Sequence, residues 1–257
     1  MPAAVVSGST RGVGRGIAVG LGEAGWTVYV TGRSTSASGS TSHLPGTVED
    51  AAAAVDNAGG TGIPLPCDHR DDASVRRLAA AVADRHRHLD LLVNNTWAGY
   101  ERLNGGAWDE WNAPFYEQPL DLFDLMLSSG VRSHYLTTAA CAGLLMAAPK
   151  ALVVTTSFEQ AGPLSYRVAK AADDGLATAL ASAFPQGTVT SVGLHPGLVR
   201  TEGVMQFKDH LDLTRSQSPE GVGRVVAALA ADAERHRFNG QVLSVAALVA
   251  RYGVPSL

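Results

Sequence analysis

The sequence predicts an α/β fold, a parallel sheet with helices laid over both faces, in one domain spanning residues 1–257. Three observations predict it. Apolar runs of strand length alternate with longer amphipathic or alanine-rich runs along the whole chain. A glycine-rich stretch falls at the first strand-to-helix junction, where such sheets bind ligands. Hydrophobic residues make up 46% of the chain, enough for one large core, and no repeat or linker divides it.

Ala3 to Ser7 reads as the first strand, followed by a helix from about Gly14 to Ala24. Thr27 to Thr31 is rich in β-branched and aromatic residues and forms the second strand. Ser34 to Ser42 is small and polar, the composition of a mobile loop. Thr47 with Asp50 three positions on marks a helix start. Ile63 to Cys67 is the third strand. Asp71 and Asp72 open a helix whose last turns carry Arg85 and Arg87, the polarity a helix dipole favours. Leu89 to Asn94 is the fourth strand. Trp97 to Pro119 reads as a long loop, and loops of that length are usually functional or disordered. Leu120 to Ala148 has a helical pattern with a break near Ser128-Ser129-Gly130. Ala151 to Thr156 is a strand, Leu164 to Phe184 a helix and Thr188 to Leu194 a strand. Ser218-Pro219-Glu220 starts a helix, with serine as cap and proline at the first position. Gln241 to Val245 closes as the last strand.

A net charge of -4 and a pI near 6.0 argue against nucleic acid and anionic membrane as main partners. Residues 1–6 lack a basic region and run into the glycine-rich turn, unlike a signal peptide, and no apolar stretch is long enough to span a bilayer. Cys67 and Cys141 are the only cysteines, expected as reduced thiols in a cytoplasmic protein. The eight histidines are scattered, and His86 and His88 sit in a helix-like, arginine-rich stretch without the thiolate or carboxylate neighbours of a metal site, so no metal is assigned.

Ser7-Gly8-Ser9-Thr10-Arg11-Gly12-Val13-Gly14 lies between the first strand and helix. Glycines there let the backbone turn sharply and approach a pyrophosphate, whose charge meets backbone N–H groups at the helix N-terminus. Gly8, Thr10, Arg11, Gly12, Val13 and Gly14 are the candidate contacts. An NAD site usually carries an acidic residue at the end of the second strand. Here the run is Thr31-Gly32-Arg33-Ser34, and a guanidinium with forked donors suits a 2′-phosphate. Arg33 therefore points to NADP(H) as the preferred cofactor, with Arg11 as a second cation nearby and NAD(H) possible.

Tyr166 and Lys170 are four apart at the start of a helix, on one face with adjacent side chains. The chain has only three lysines, so the spacing is informative. An ammonium beside a phenol favours the phenolate and draws the phenol's titration toward the working pH. The phenol then exchanges a proton with a carbonyl or alcohol oxygen.

These motifs, with Asp68 after the third strand, Asn94-Asn95 after the fourth and His195-Pro196-Gly197-Leu198-Val199-Arg200-Thr201, occur in the order of the short-chain dehydrogenase/reductase family. The resemblance covers essentially the whole chain. The spacing of Gly8, Gly12 and Gly14 is similar to the family's T-G-x-x-x-G-x-G, with Ser7 in place of threonine. Asn94-Asn95-Thr96-Trp97-Ala98-Gly99, Phe115-Tyr116-Glu117, Gly130 to Tyr135 and Arg251-Tyr252-Gly253 resemble one subgroup of it.

The resemblance implies a doubly wound seven-stranded Rossmann sheet binding nicotinamide across the carboxyl ends of its strands. It implies that Asp68 contacts the adenine, that Asn94 supports the fourth strand near the cofactor, and that Lys170 also binds the nicotinamide ribose. Pro196, Gly197, Val199 and Thr201 would lie beside the nicotinamide. The serine that polarises the substrate carbonyl maps to Ser157, and a homodimer or homotetramer is implied.

Two departures stand out. Ser157 precedes Tyr166 by nine residues, fewer than the family usually leaves, which keeps Thr156 and Ser165 as candidates. Gly130 stands where many members have an asparagine that holds a water for proton relay. The segments 97–119 and 200–217 are expected to wall a substrate pocket. Trp97, Tyr100, Trp108, Trp111, Phe115 and Tyr116 either line an apolar cleft or pin the loop to the surface. Met205, Phe207 and Leu211 read as the apolar side of a mobile lid helix. The leading expectation is an oxidoreductase acting on a carbonyl or alcohol substrate of hydrophobic character. The departures keep open a catalytically weak NADP(H)-binding sensor or scaffold. A methyltransferase on a similar sheet would make the Tyr166–Lys170 spacing a coincidence.

Overall fold

The structure, a computed structural model, describes residues 1–103, 108–158 and 162–255. Seven strands, β1 (Ala3–Val6), β2 (Thr27–Gly32), β3 (Thr61–Pro66), β4 (Leu91–Asn94), β5 (Ala151–Thr156), β6 (Val189–His195) and β7 (Val242–Ser244), form one sheet in the order β3-β2-β1-β4-β5-β6-β7. Every pairing is parallel. The order reverses between β1 and β4, and in such sheets the crevice beyond the strands' carboxyl ends is where ligands bind.

The alternation of side chains along each strand feeds two cores. Ala4, Val6, Val28, Val30, Leu91, Val93, Leu152 and Val154 pack on one face against helices α1 (Gly12–Glu23), α2 (Val48–Asn57) and α10 (Pro219–Ala231). Ala3, Val5, Tyr29, Leu92 and Val153 pack on the other against α3 (Asp72–Ala83), α7 (Ser133–Ala147) and α8 (Leu164–Ala183). Strands buried on both faces read as unbroken apolar runs rather than alternating ones. Pro64 and Pro66 sit in the edge strand β3, where a missing N–H is tolerated. Helices α1 and α10 approach backbone to backbone: a Cβ on Gly16 would lie 2.1 Å from the carbonyl carbon of Pro219, and one on Gly20 would lie 2.4 Å from that of Gly223.

Several local expectations change. Segment 97–119 contains two helical turns, α4 (Gly99–Leu103) and α5 (Trp108–Asn112). The expected break near Ser128 is a π-helical turn at Ser128–Arg132, joining α6 (Leu120–Leu127) to α7 without interruption. The Ser129 hydroxyl donates to Leu125 O at 2.7 Å and the Ser133 hydroxyl to Ser128 O at 2.8 Å, so side chains bond the carbonyls a widened turn leaves free. The serine-rich stretch 34–42 is tied down rather than loose. Arg11 donates to Ser34 Oγ, Ser40 Oγ, Pro45 O and Gly46 O, and the hydroxyls bond within the loop. The expected lid helix is instead α9 (Glu202–Met205) followed by a 3₁₀ turn at Lys208–His210. Phe207 leaves helical backbone at φ -114° and seats its ring 4.6 Å from that of Trp108. Met205 and Leu211 stay exposed. A helix α11 (Val245–Tyr252), not anticipated, follows β7.

Candidate active site

A cleft of about 400 Å³ opens at the carboxyl ends of β1, β2, β4, β5 and β6. At one end is the glycine turn. Gly8 and Gly12 have φ of +63° and +57°, a backbone conformation that favours glycine. Gly14 does not line the cleft; a Cβ there would lie 2.4 Å from Gly8 O and from Asn95 Nδ2, so its role is close packing of helix on strand. Gly8, Thr10, Arg11, Gly12 and Val13 do line it. The backbone N–H of Gly12, at the start of α1, donates to the Glu202 carboxylate at 2.9 Å. An anion of the chain itself thus occupies the helix N-terminus, as the partial positive charge there favours. Residues that hold a carboxylate this way fit a pyrophosphate.

Arg33 lies further along the cleft, paired with Glu101 of α4. Burial lowers its pKa, and the nearby charges of Arg70 and Arg11 act the same way while Asp68 opposes them. The Arg33 guanidinium has the forked donors that fit a phosphate dianion, with Glu101 and Asp68 as the carboxylates beside it. Arg11 itself is committed to the 34–46 loop rather than free. Asp68 accepts from Arg70 Nη2 at 3.0 Å, and Arg70 and Arg33 hold its carboxyl below the usual range against the effect of burial. His69 beside it is buried between Thr31 Oγ1 at 2.8 Å and Thr137 Oγ1 at 2.9 Å; burial lowers its pKa to about 3, so the ring is neutral. Asn94 is fully buried, outside the cleft lining, with its amide on Thr138 Oγ1 at 2.9 Å. Asn95 lines the cleft instead and donates to Ser7 O and Gly8 O.

At the other end Tyr166 and Lys170 of α8 both face the cleft, with Lys170 Nζ 5.8 Å from the centroid of the Tyr166 ring. Their placement on one helical face follows from the four-residue spacing. Burial pushes the Tyr166 phenol above its ordinary pKa; Lys170 opposes this and Asp173 adds to it. The expected net lowering of the phenol's pKa by its lysine is therefore absent: burial wins, and the group is a protonated acid. Burial disfavours the Lys170 ammonium, but the Asp173 carboxylate opposes it, and the lysine is held above its ordinary value.

Ser157, at the end of β5, lines the cleft, with its hydroxyl donating to Lys170 O at 2.9 Å. Thr156 lines it too and donates to Asn94 O at 3.2 Å. Ser165 is outside the cleft lining, bonded to Gln118 at 3.5 Å. Pro196, Gly197, Val199 and Thr201 also line the cleft, with Thr201 Cγ2 3.6 Å from where a Cβ on Gly12 would lie. Around the Tyr166 ring stand Trp111 at 5.5 Å, Trp97 at 5.7 Å and Phe158 at 6.3 Å between centroids. Trp108 also lines the cleft, whereas Phe115 and Tyr116 are exposed and stack on each other. The side chain of Tyr100 lies outside the described residues, as do positions 104–107 of the same segment.

The residues that sequence reasoning missed are charged partners brought together by the fold. Glu101 and Glu202 come from the two segments flanking the cleft and carry no motif. Asp173 was within reach: it lies three residues after Lys170 and seven after Tyr166, on the inward face of α8, where an unpaired carboxylate is costly.

A parallel sheet with a glycine turn, an anion-holding helix start and a tyrosine–lysine pair on one cleft defines a nucleotide-cofactor oxidoreductase. The chain belongs to the short chain dehydrogenase family, whose family model matches residues 2–212. Its members use NAD or NADP on small molecules. It is similar to dehydrogenase/reductase SDR family member 1 of Mus musculus, 36% identical over 272 residues, covering 98% of this chain and 82% of that one. The Homo sapiens protein of the same name is 33% identical, covering 97% and 81%. A crystal structure of a protein from Xanthomonas campestris, 27% identical, superposes with a TM-score of 0.84 over 98% of this chain and 90% of that one.

Proposed function

We propose that this oxidoreductase uses NADP(H) in preference to NAD(H) and reduces a hydrophobic carbonyl compound to its alcohol, with Tyr166 as the proton donor. The observation that carries this reading is the partly buried Tyr166 phenol, which lines the cleft with Lys170 Nζ 5.8 Å from its ring. Gly8, Thr10, Gly12 and Val13 would hold the pyrophosphate, Arg33 the 2′-phosphate, and Asp68 the adenine. Pro196, Gly197, Val199 and Thr201 would flank the nicotinamide, and Lys170 its ribose. When bound, the reduced nicotinamide supplies a hydride to the carbonyl carbon. Tyr166 gives its hydroxyl proton to the carbonyl oxygen, which becomes the alcohol. The Lys170 ammonium stabilises the phenolate left behind, and a proton from solvent restores the phenol. In the reverse direction the phenol first releases its proton to solvent, and the phenolate, stabilised by Lys170, takes the alcohol's proton.

Ser157 polarises the carbonyl in this scheme, and its hydroxyl must then turn from Lys170 O to the substrate. The rings of Trp97, Trp111 and Phe158 favour an apolar substrate and exclude water from the reacting oxygen. Segments 97–119 and 200–217 form the substrate side of the single domain. Apolar side chains exposed on α6, α7 and α8, Leu120, Phe123, Tyr135 and Leu164 among them, support self-association as a dimer or tetramer. A cytoplasmic location fits Cys67 and Cys141, buried thiols whose pKa burial raises to about 11 and about 12. Among the described residues no helix is long and apolar enough to cross a membrane.

One observation favours a second reading, a cofactor-binding sensor with little turnover: the Ser157 hydroxyl is engaged by Lys170 O. A panel of aromatic and aliphatic ketones and aldehydes assayed with NADPH separates the two. Turnover of any member, lost in Tyr166→Phe, supports the reductase. Tight NADPH binding without turnover of any member supports the sensor.

A further inference from the structure

Behind Lys170, away from the cleft, lies a charged group that the proposed reaction does not use. Asp173 and His134 have fully buried side chains on facing helices, α8 and α7. Asp173 Oδ2 accepts from Lys170 Nζ at 3.0 Å, and Asp173 Oδ1 meets His134 Nδ1 at 2.8 Å. An ionised carboxylate only accepts, so His134 carries its proton on Nδ1 toward Asp173. A second contact of Lys170 is the Thr156 carbonyl at 3.5 Å. The carboxylate lies where a side chain at position 130 would reach. A Cβ on Gly130 would lie 3.7 Å from Asp173 Oδ2 and 4.0 Å from Oδ1.

We propose that Asp173, held in place by His134, is the positioning residue that keeps Lys170 charged and directed at Tyr166, in the space that glycine at position 130 leaves open. The proposal rests on the reading of Tyr166 and Lys170 as the proton-handling pair. An ammonium buried as deeply as that of Lys170 would shed its proton if nothing opposed desolvation. Asp173 is the anion within hydrogen-bond reach that opposes it. His134 bonds the second carboxylate oxygen and so fixes the rotamer that presents the first to Lys170. Apolar side chains of similar volume would fill this space with equal or greater stability. The effect particular to the charged pair is on the lysine.

Other titratable groups nearby are accounted for. Tyr166 and Asp174 act on Lys170 from its own helix, and Asp174 is held by His195 Nε2 at 3.0 Å. His69 is near enough to feel His134 and is itself neutral. The β5 strand offers only the Thr156 carbonyl to the ammonium.

Because the chain has three lysines, Lys150, Lys170 and Lys208, lysine-selective ¹³C labelling gives three NMR titrations, and Lys170→Arg assigns its own. In Asp173→Asn the Lys170 signal is expected to titrate roughly one pH unit lower or more, a tenfold loss of proton affinity. The alkaline limb of the carbonyl-reduction profile moves the same way, because ammonium is lost at lower pH. The value of kcat falls about tenfold, KM changes less than about twofold, and Asp173→Glu recovers part of the loss. Asp173→Ser is measured in parallel, so that a folded variant without the charge is in hand. A folded variant of either kind whose Lys170 titration and alkaline limb match the parent overturns the proposal. Tyr166→Phe, assayed alongside, separates the two ideas. If it keeps parental activity the proton-donor reading fails, whatever the NMR titration of Lys170 shows.

Discussion

The Glu202 carboxylate accepts the backbone N–H of Gly12 at 2.9 Å and so sits on the helix N-terminus that the sequence marks for a pyrophosphate. On the proposed cofactor placement, Glu202 and the pyrophosphate compete for that position. Glu202→Gln is expected to tighten NADPH and NADH alike, by about twofold to fivefold, since a neutral amide gives up roughly 0.5–1 kcal/mol of helix-dipole attraction. Fluorescence titration of the two cofactors reads this directly. Weaker binding of both would mean that Glu202 helps to hold the cofactor.

A second competition distinguishes the cofactors. Arg33 is paired with Glu101, which takes the position assigned to the 2′-phosphate. Arg33→Ala is expected to weaken NADPH about tenfold, the scale of a lost charged hydrogen bond, and to leave NADH nearly unchanged. Glu101→Gln frees the guanidinium and should tighten NADPH alone. Equal effects on both cofactors would remove the 2′-phosphate contact.

His69 predicts a pH dependence of stability. Its pKa is about 3 in the fold, below the ordinary 6.5, because burial disfavours the imidazolium. Between those values the unfolded chain binds a proton that the native one does not, so stability is fully present above about 6.5 and is lost as pH falls toward 3. The slope is about 1.4 kcal/mol per pH unit for one such group. Thermal melts of the parent and His69→Gln between pH 7 and pH 4 should converge as the pH falls. Parallel curves would show that His69 is not the group responsible.

Packing between α1 and α10 gives a prediction free of the active site. Gly16→Ala sets a Cβ against the Pro219 backbone, where no flexible side chain gives way. Urea unfolding should show a loss of about 1–3 kcal/mol or more. A midpoint equal to the parent's would mean that the helices separate at little cost.

The parts of this molecule legible in its sequence are those fixed by local chemistry. Apolar and β-branched runs marked all seven strands, the buried ones and the half-exposed edge strands β3 and β7 alike, the glycines marked the turn after β1, and the spacing of Tyr166 and Lys170 set both on one face of α8. The misreadings share a cause, which is contact between distant segments. The 34–42 stretch lacks apolar side chains and so reads as loose, yet Arg11 binds it from more than twenty residues away. Met205 and Phe207 read as a lid helix, whereas Phe207 lies outside helical geometry and packs on Trp108 from a distant segment. Polar Ser128 and Ser129 with Gly130 read as a break, although their hydroxyls satisfy a π-helical turn. Asn94 and Asn95 form one motif, and the alternation of successive side chains at the end of β4 sets Asn95 toward the cleft and Asn94 toward α7.

The central claim is that Tyr166 protonates a carbonyl oxygen while hydride comes from NADPH. Deuterium-labelled NADPH, deuterated at the transferring position and incubated with a ketone that the parent reduces, tests it most directly. The account predicts deuterium on the alcohol carbon with the parent protein and a rate about a hundredfold lower or less with Tyr166→Phe. Deuterium incorporated equally fast by both proteins would contradict it.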